Sequence, residues 1–595
     1  MPPRRPLVNL SPVSGFVAAL AALGLSPELM ARGSQCFLAT SDGRMRAWPG
    51  LTIQASAQGG TVMMPVSDGY GSLGSVGSPG SGSLAASIAD SLWYAGSGPL
   101  RFNGAAIGAL SASSTLSFLL RSGATYGTTP YQAGRVAPTA PALTKRDNVG
   151  GKINGSVAIR ATRINSTTGG ESDASDPTLP VTIIDGKLLI SFNGISLDAN
   201  GQDKWGLYGT RVGFQSKGPF YGLAKYPEVA DASLATLFGV LRAVEVDFTD
   251  AELDYERIAP IDNDPPPSCT HVAALENIIL AFGVFGGTGV ISSKPNFLEA
   301  FPIDHLSFLP ERPVAVYPRP TQGFILVACR GSVYAVVYTG ATPPYALQSV
   351  WPETGVAAYH NICFAENTIY AFTERRGICR SQGAGEPDYS FAAEVAEYTS
   401  AWVPANVVVG YDVPTQQVVY CHGAEMLPFN KQTGRWGAPL KLSALRSGGA
   451  AAPVSGTIKS AVTHQGKLLQ SVDTGAIHAL YRFGEGGGSQ AIYQSPWIPA
   501  QHVSETITRI RCAIDGSFGR ASTLRIFRNG DAAAIETFNI AAQVGGNRMR
   551  YLEALKPGDA KNCESYMLQL TIDSDDGSES LLSALVEGVG SNVSL

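Results

Sequence analysis

Charge is scarce in this 595-residue chain, in which Asp, Glu, Lys and Arg make up only 15% of the residues. An average globular protein has roughly 25% charged residues. The 43 basic residues are outnumbered by 48 acidic ones, which leaves a net charge of −5. General nucleic-acid binders and membrane-surface binders carry a basic excess. The composition therefore argues against those classes, although a local basic patch remains possible.

The eight cysteines lack the spacing of a metal or redox motif. None forms a Cys-x-x-Cys pair, and none pairs with a histidine at zinc-finger spacing. Most lie inside apolar, strand-like runs, such as those that end at Cys329 and Cys421. We therefore predict buried, unpaired thiols in a reducing compartment. We predict no metal ion and no cofactor.

Long apolar runs are also missing, since none approaches the ~18 residues that a membrane helix needs. The closest is Gly15 to Leu25, which follows Arg4 and Arg5 and so imitates a secretory signal peptide. Ser26 and Pro27 then indicate the start of a short helix. We expect this segment to stay in the mature chain as an N-terminal arm.

Motifs for catalysis or nucleotide binding are absent, including Gly-x-Ser-x-Gly, the phosphate-binding loop and His-Glu-x-x-His. The glycine-rich stretch 283–289 is not followed by a helical pattern, so it is predicted to be a turn between strands. Cys421 and His422 are neighbours, but adjacent residues of a strand point to opposite faces. We predict no catalytic, cofactor-binding or metal-binding residues.

Acidic residues are concentrated in three stretches. Eight of them lie within 245–264, and we interpret this stretch as a solvated acidic connector. The oxygen-rich stretches 198–203 and 573–579 do not have the spacing of an EF-hand. Asp, Asn and Gly simply favour turns there.

What the chain does contain is a repeat, which runs from about residue 271 to 490. Each unit is an apolar strand, a tight polar turn and a second strand. The copies lie at 274–282, 323–337, 367–377, 417–429 and 466–481. Their spacing of about 44 to 50 residues matches one blade of a β-propeller. Segments 35–48 and 91–120 resemble further blades. We predict a ring of six to eight blades, closed by N-terminal strands that pair with later ones.

Residues 137–235 break this pattern. A proline-rich linker at 137–141 precedes strand-like runs at Gly155–Ile164, Leu188–Phe192 and Trp205–Val212, with turn signals about every ten residues. The stretch 156–172 and the run from Trp205 resemble fibronectin type III-like modules. We predict a β-sandwich inserted between propeller blades.

These features predict an all-β chain with five parts. They are an N-terminal arm with a short helix (1–32), first propeller blades (33–136), the inserted sandwich (137–235), main blades (236–490) and a C-terminal sheet or sandwich (491–595). A Gly/Ser-rich stretch at 69–98 is predicted to be a long loop. It is too poor in apolar residues to form its own core, so we expect a neighbouring subunit or a channel mouth to hold it.

In its order of motifs the chain resembles the tail nozzle (tail tubular, or hub) proteins of short-tailed bacteriophages. The stretches that carry the resemblance are 31–50, 264–282, 292–302 and 407–436. The resemblance implies a structural virion protein and not an enzyme. It implies a ring, usually of six copies, that is assembled in the host cytoplasm and lies below the portal and adaptor complex.

Such a ring continues the DNA channel, retains the packaged genome and anchors fibres or spikes. The implied partners are other copies of the chain, a tail adaptor, tail fibres or spikes, and passing DNA without sequence recognition. No membrane insertion by this chain is implied. The low net charge agrees with a conduit, because basic walls would retain the DNA.

Two other functions stay open. A carbohydrate- or host-binding adhesin would use exposed aromatic side chains near Trp205 and Tyr208. A propeller glycan hydrolase would need two carboxylates about 5–10 Å apart at the centre of the ring.

Overall fold

In the computed structural model the secondary structure of the described residues is mostly β-strand, which confirms the predicted all-β fold class. The structure describes residues 131–475 except 193–201, 215–217, 320–322, 384, 438, 446–453 and 465, and outside that range it describes mainly individual strands. One short α-helix lies within this part, at Ala396–Thr399. The 3-10 helices there are Asp231–Ser233, Asp250–Glu252, Phe285–Gly287, Ile303–His305, Tyr359–Asn361, Ser390–Val395, Pro404–Asn406 and Leu442–Ala444.

Seven antiparallel sheets among the described strands form propeller blades. Blade 1 consists of β8 (Val62–Val66), β9 (Ser72–Val76), β12 (Leu100–Phe102) and β13 (Ala106–Ile107). Blade 2 consists of β10 (Ala86–Ile88), β11 (Ser91–Gly96), β14 (Ser113–Ser122), β15 (Thr125–Tyr126) and β16 (Tyr131–Gln132). Blade 3 consists of β27 (His271–Leu275), β28 (Ile278–Val284), β29 (Gly289–Ser292) and β30 (Leu306–Phe308). Blade 4 consists of β31 (Ala315–Arg319), β32 (Phe324–Ala328), β33 (Val333–Tyr338) and β34 (Tyr345–Trp351).

The remaining blades follow in the same order along the chain. Blade 5 consists of β35 (Ile362–Ala365), β36 (Thr368–Thr373) and β37 (Gly377–Gln382). Blade 6 consists of β38 (Val407–Asp412), β39 (Gln417–His422), β40 (Glu425–Asn430), β41 (Arg435–Trp436) and β42 (Leu440–Lys441). Blade 7 consists of β43 (Thr457–His464), β44 (Lys467–Asp473), β45 (His478–Phe483) and β7 (Leu51–Ala55).

Blade 7 closes the ring with a strand from the other end of the chain. β7 pairs antiparallel with β45 as the fourth strand of the sheet. This confirms the predicted closure by N-terminal strands.

Adjacent blades pack face to face through alternating side chains. In β28, Ile279 and Ala281 lie in the core shared with blade 2. Ile278, Leu280 and Phe282 lie in the core shared with blade 4. Both faces of the strand are buried, which explains its nearly continuous apolar sequence.

The inserted sandwich consists of two antiparallel sheets. The first contains β17 (Ala142–Arg146), β18 (Ile153–Val157), β20 (Val181–Ser191), β24 (Ala235–Leu237) and β25 (Val240–Val246). The second contains β19 (Ile159–Asn165), β21 (Gln202–Gly209), β22 (Tyr221–Leu223), β23 (Val229–Ala230) and β26 (Leu253–Ile258). The sandwich therefore continues past residue 235, to Ile258. The predicted sandwich ended too early because the acidic stretch 245–264 was interpreted as a connector.

The strands at both ends of the chain form two further sheets together. One contains β1 (Arg5–Asn9), β5 (Phe37–Ala39), β6 (Met45–Ala47), β48 (Ser504–Asp515), β51 (Met549–Leu555) and β53 (Ser580–Ser591). The other contains β4 (Arg32–Ser34), β46 (Gln490–Gln494), β47 (Ile498–Pro499), β49 (Ser522–Arg528), β50 (Glu536–Ile540) and β52 (Ser565–Asp573). A separate parallel pair joins β2 (Gly15–Phe16) to β3 (Leu29–Met30).

Three predictions before residue 100 need correction. Segment 35–48 is not a propeller blade, because β5 pairs with β6 and β6 pairs with β53 of the terminal sheet. Leu29–Met30 is a strand, and the predicted helix start at 26–28 lies outside the described residues. The stretch 69–98 is not one loop, because β9, β10 and β11 lie within it and join two blades.

Candidate functional site

The first strands of neighbouring blades lie against one another around the propeller axis. β27 contacts β31, β35 contacts β38, and β38 contacts β43. Each of these strands is the end strand of its sheet and is hydrogen-bonded to one neighbour only. Its other edge therefore leaves backbone N–H and C=O groups directed toward the axis.

A cavity of about 230 Å³ lies among these first strands. We call it the axial pocket. It is lined by Tyr317, Pro318, Arg319, Tyr359, His360, Ile362, Cys363, Phe364, Val409, Gly410, Ala461, Val462 and Thr463. The lining comes from blades 4, 5, 6 and 7 and from the short helix that precedes β35.

Aromatic rings form one wall of the axial pocket. The ring of Tyr317 stacks on that of Tyr359, with centroids 4.8 Å apart, and meets the edge of Phe364 at 5.6 Å. The Tyr317 hydroxyl donates a hydrogen bond to the carbonyl oxygen of Tyr359. The phenol is thus held in place, and burial raises its pKa well above the ordinary value.

Arg319 lies beside this wall. Its guanidinium carbon is 4.1 Å from the centroid of the Phe364 ring, and its Nη2 donates a 2.8 Å hydrogen bond to the carbonyl oxygen of Glu366. Burial lowers the pKa of Arg319, but a guanidinium remains charged at any physiological pH. The aromatic face and the backbone carbonyl fix its position.

His360 completes the buried part of the axial pocket. Its Nε2 is 3.3 Å from the carbonyl oxygen of Ala405. Burial lowers the pKa of His360 to about 4, so the imidazole is neutral at pH 7. Among the lining residues that the structure describes, Arg319 therefore carries the charge at that pH.

Among the residues that the structure describes, the lining of the axial pocket contains no aspartate or glutamate. A glycan hydrolase needs an acid and a second carboxylate at a defined separation. The described part of the axial pocket does not supply that pair.

Trp205 and Tyr208, the aromatics proposed for an adhesin, are buried inside the inserted sandwich. They are 4% and 1% exposed. The Trp205 indole Nε1 donates a 3.0 Å hydrogen bond to Asp231, and the Tyr208 hydroxyl donates one of 2.7 Å to Glu171. Neither ring is available to a sugar, and the burial of Trp205 counts against the adhesin hypothesis.

Cys421 and His422 point apart, as the strand geometry predicted. Cys421 is buried beside Gln470 of blade 7, at 3.6 Å. His422 stacks on Trp402 on the other face, with ring centroids 5.4 Å apart. They form no nucleophile pair.

The prediction of buried, unpaired thiols is confirmed for the five cysteines whose side chains the structure describes. Cys269, Cys329, Cys363, Cys379 and Cys421 are buried and free. Burial raises the pKa of Cys269 and of Cys329 to about 12. These thiols are therefore packing groups, since reactivity requires a thiolate.

The acidic stretch 245–264 belongs mostly to the sandwich and is paired there. Glu245 forms ion pairs with Arg146 and Lys187. Glu252 accepts hydrogen bonds from Lys152 and Lys225, which hold its pKa at about 2. The prediction of a solvated connector is therefore wrong for the residues of this stretch that belong to the sandwich.

The glycine-rich stretch 283–289 forms the turn between β28 and β29, as predicted. Gly286 has φ +83°, a conformation that glycine adopts without strain.

The sandwich is fixed to blade 3 by a polar junction. Thr168 donates a 2.5 Å hydrogen bond to Glu299, and Lys294 donates one of 3.0 Å to Asn263. The Asn263 amide N–H in turn donates to Asp173, and its side chain donates to the carbonyl oxygen of Glu171. These contacts join the sandwich loop at 165–173 to propeller loop 294–301 and to Asn263, which lies between β26 and β27.

At this junction the ionised form of the Asp173 carboxyl group is unfavourable in the folded protein. Burial, together with the charges of Asp264 and Asp262, raises its pKa to about 6. The unfolded pKa is 3.8, so ionisation of Asp173 opposes folding once the pH exceeds about 4, and fully above about 6.

We expect Asp173→Asn to stabilise the protein at pH 7 by about 1 kcal/mol, after allowance for solvent screening, and to lose that advantage at pH 4. The amide retains an acceptor for Asn263 without the charge. Chemical denaturation at both pH values measures the difference. Asp147→Asn is the matched control, because hydrogen bonding to Lys145 lowers the pKa of Asp147. It should act with the opposite sign at pH 7, and a stabilising effect of both variants would contradict the account.

No group of three or more His, Cys, Asp or Glu within the described residues is arranged to hold a metal ion. Residues 198–201 and 574–579, which belong to the two oxygen-rich stretches, lie outside the described residues. Among the described helices, none has the length and apolarity to cross a membrane.

Comparison with known proteins gave no matching family model and no matching curated protein. Solved structures that align include an exo-β-1,3-galactanase from Phanerochaete chrysosporium with galactose, at 8% identity and a TM-score of 0.20, over 53% of this chain and 94% of that one. Hsv2 of Kluyveromyces lactis aligns at 10% identity and a TM-score of 0.23, over 48% and 67%.

The extracellular domain of a hybrid two-component system from B. thetaiotaomicron aligns at 10% identity and a TM-score of 0.25, over 68% and 48% of the two chains. At such scores these likenesses support no inference about activity.

Proposed function

We propose that this chain is a structural subunit of a ring in the tail of a short-tailed bacteriophage. In this role it would continue the DNA channel below an adaptor, retain the genome and anchor fibres or spikes. The order of the sequence motifs suggests the role, and an exposed apolar edge of the propeller supports self-assembly.

That edge belongs to blade 3, and we call it the blade 3 edge. Phe308 ends the outermost strand, β30, and is 57% exposed, while Phe297 in the preceding loop is 67% exposed. Ile303 and Phe285 are also exposed. Exposed apolar side chains on an unpaired edge strand favour contact with another protein surface. In a ring of identical chains, the occupant would be the next copy.

The polar junction supports the same proposal, because it holds the sandwich in one orientation against blade 3. Glu299 is largely buried there, and a side chain added at Gly170 would collide with its carboxylate. A sandwich fixed in this way keeps the surroundings of the blade 3 edge the same in every copy. A ring requires such constancy, since every contact must repeat with the same geometry.

A substitution at the blade 3 edge tests the proposal. We expect Phe308→Asp to shift the purified protein from ring to monomer in native mass spectrometry, because it places a charge in an apolar contact. Phe214→Asp is the matched control: Phe214 is similarly exposed but lies in the inserted sandwich. The control should retain the ring, and both variants should keep the parent's unfolding midpoint. If the Phe308→Asp variant forms a ring as stable as that of the parent protein, the blade 3 edge is not a contact between copies.

A further inference from the structure

We propose that a second pocket, beside blade 5, binds a free amino acid with an aromatic or apolar side chain. The ammonium group of the ligand would lie on the Glu374 carboxylate and its own carboxylate on the Arg375 guanidinium. Its side chain would lie against Phe372 and Trp402. This inference goes beyond the proposed ring function and does not depend on it.

The pocket lies where blade 5 departs from the four-stranded pattern. Its three described strands are followed by the short helices Ser390–Val395 and Ala396–Thr399, which contact β37. A cavity of about 420 Å³ lies between these helices and the turn that joins β36 to β37. We call it the blade 5 pocket. Sites that enclose small molecules usually have a volume of about 300 to 1,000 Å³, so the blade 5 pocket is large enough for an amino acid.

Aromatic rings form an apolar wall of the blade 5 pocket. The Trp402 ring stacks on that of Phe372, with centroids 6.1 Å apart, and on that of His422, with centroids 5.4 Å apart. Trp402 and Phe372 are buried, so their rings are held in place before a ligand binds and lose little freedom on binding. Ala392 and Ala396 of the two helices also line the pocket. Their short side chains leave room for the side chain of a ligand.

Glu374 supplies an acceptor that lacks a donor. It lines the blade 5 pocket, and its Oε2 is buried without a hydrogen-bond partner among the residues that the structure describes. Its backbone is fixed, because its amide donates a 3.0 Å hydrogen bond to the Gly355 carbonyl oxygen. A buried carboxylate oxygen without a donor is unfavourable. An ammonium group beside this carboxylate would supply both the opposite charge and hydrogen-bond donors.

The next two residues supply positive charge at the rim of the same pocket. Arg375 and Arg376 are exposed and belong to the lining. The Arg376 guanidinium carbon is 5.5 Å from the centroid of the Tyr389 ring, and the Arg375 guanidinium faces no ionic or aromatic partner within the described part of the chain. A planar guanidinium can hold both oxygens of a carboxylate. One turn therefore presents an acid and a base side by side, which matches the two charged groups that an amino acid carries on one carbon.

Three probes with the same side chain and different charges test the proposal: phenylalanine, phenylalaninamide and N-acetylphenylalanine. Isothermal titration calorimetry on the full-length protein at pH 7 should show saturable binding of phenylalanine at one site per chain. The amide lacks the carboxylate and the acetyl derivative lacks the ammonium group, so each should bind at least about tenfold more weakly, a difference of about 1.4 kcal/mol. Absence of saturable phenylalanine binding up to about 10 mM, or a derivative that binds as tightly as phenylalanine, would overturn the proposal.

Two variants locate the two charges. Glu374→Gln should weaken phenylalanine binding about tenfold or more and leave N-acetylphenylalanine unchanged, because only the ammonium group uses the carboxylate. Arg375→Gln should weaken phenylalanine binding similarly and leave phenylalaninamide unchanged. The matched controls are Glu386→Gln, at an exposed acid of the same blade, and Arg330→Gln, at the turn between β32 and β33. Both controls should bind phenylalanine as the parent does.

If Glu374→Gln does not fold, Arg375→Gln decides the assignment, because the Arg375 side chain is exposed and its replacement should not disturb the core. Unchanged phenylalanine affinity in a folded variant at either position would show that the amino acid binds elsewhere and would contradict the assignment. Because ring assembly is measured separately by native mass spectrometry, failure here leaves the proposed function untouched.

Discussion

Replacing Trp436 with alanine should lower the free energy of unfolding by about 3–5 kcal/mol, the usual cost of removing a large aromatic side chain from a core. Trp436 is 1% exposed. Its ring centroid is 4.9 Å from that of Phe429 and 5.7 Å from that of Phe391, and its Nε1 donates a 3.0 Å hydrogen bond to the Phe391 carbonyl oxygen. The variant loses this bond as well as the packing between blades 5 and 6.

Urea denaturation of the isolated chain measures the effect. Val413→Ala is the control, since Val413 lies in the same blade but is exposed and should change the stability by less than about 0.5 kcal/mol. If Trp436→Ala changed the free energy of unfolding by a similarly small amount, the core between blades 5 and 6 would not hold these two blades together.

A second large loss of stability is expected when Asp412 is replaced. This buried acid links blade 6 to blade 7. It is 2% exposed. Its Oδ1 accepts a 3.1 Å hydrogen bond from the Leu468 amide of blade 7, and its Oδ2 accepts bonds from the Thr415 amide and hydroxyl. Asp412→Ala should destabilise the protein by about 3 kcal/mol, because buried donors lose a charged acceptor.

Asp412→Asn separates hydrogen bonding from packing. Its carbonyl oxygen can still accept from Leu468, so the loss of stability should be clearly smaller than for alanine. If alanine and asparagine cost the same, the hydrogen bond between the blades contributes nothing and the account of this contact is wrong. Differential scanning calorimetry of both variants makes the comparison.

The propeller could be predicted from the sequence because each blade carries its own local signal. The turn at Arg330 and Gly331 joins β32 to β33, and the turn at Arg375–Gly377 joins β36 to β37. A hairpin brings together residues that are close in the chain, so pattern and turn chemistry suffice to find it. The repeated spacing then identifies the ring.

Segment 35–48 shows the limit of the same method. Its two strands alternate and turn as a blade would, yet β6 pairs with β53 at the other end of the chain. Alternation indicates which side chains share a face but carries no information about a distant partner. The choice between a blade and a terminal sheet therefore depends on contacts more than 500 residues apart in sequence.

The axial pocket was missed for a related reason. Tyr317, Phe364 and Thr463 lie in the first strands of different blades, and each is an ordinary strand residue in its own repeat. Only ring closure brings them together. An alignment of the repeats, position by position, could have indicated this shared lining, because these residues lie in the first strands of different repeats.

The acidic stretch was misjudged because charge alone does not distinguish a solvated segment from a paired strand. Glu245 lies opposite Leu189 in the sheet and meets lysine and arginine side chains from neighbouring strands. Its partners are 58 and 99 residues away in sequence. Ion pairs between strands become visible only when the register is known.

The central claim, that this chain is a ring-forming structural subunit, is tested most directly by its stoichiometry. Native mass spectrometry of the purified full-length protein, combined with class averages of the same sample by electron microscopy, should show a closed ring of identical chains, with six as the expected number. A protein that is strictly monomeric by both methods at every concentration examined, and that is absent from purified phage particles, would contradict the claim.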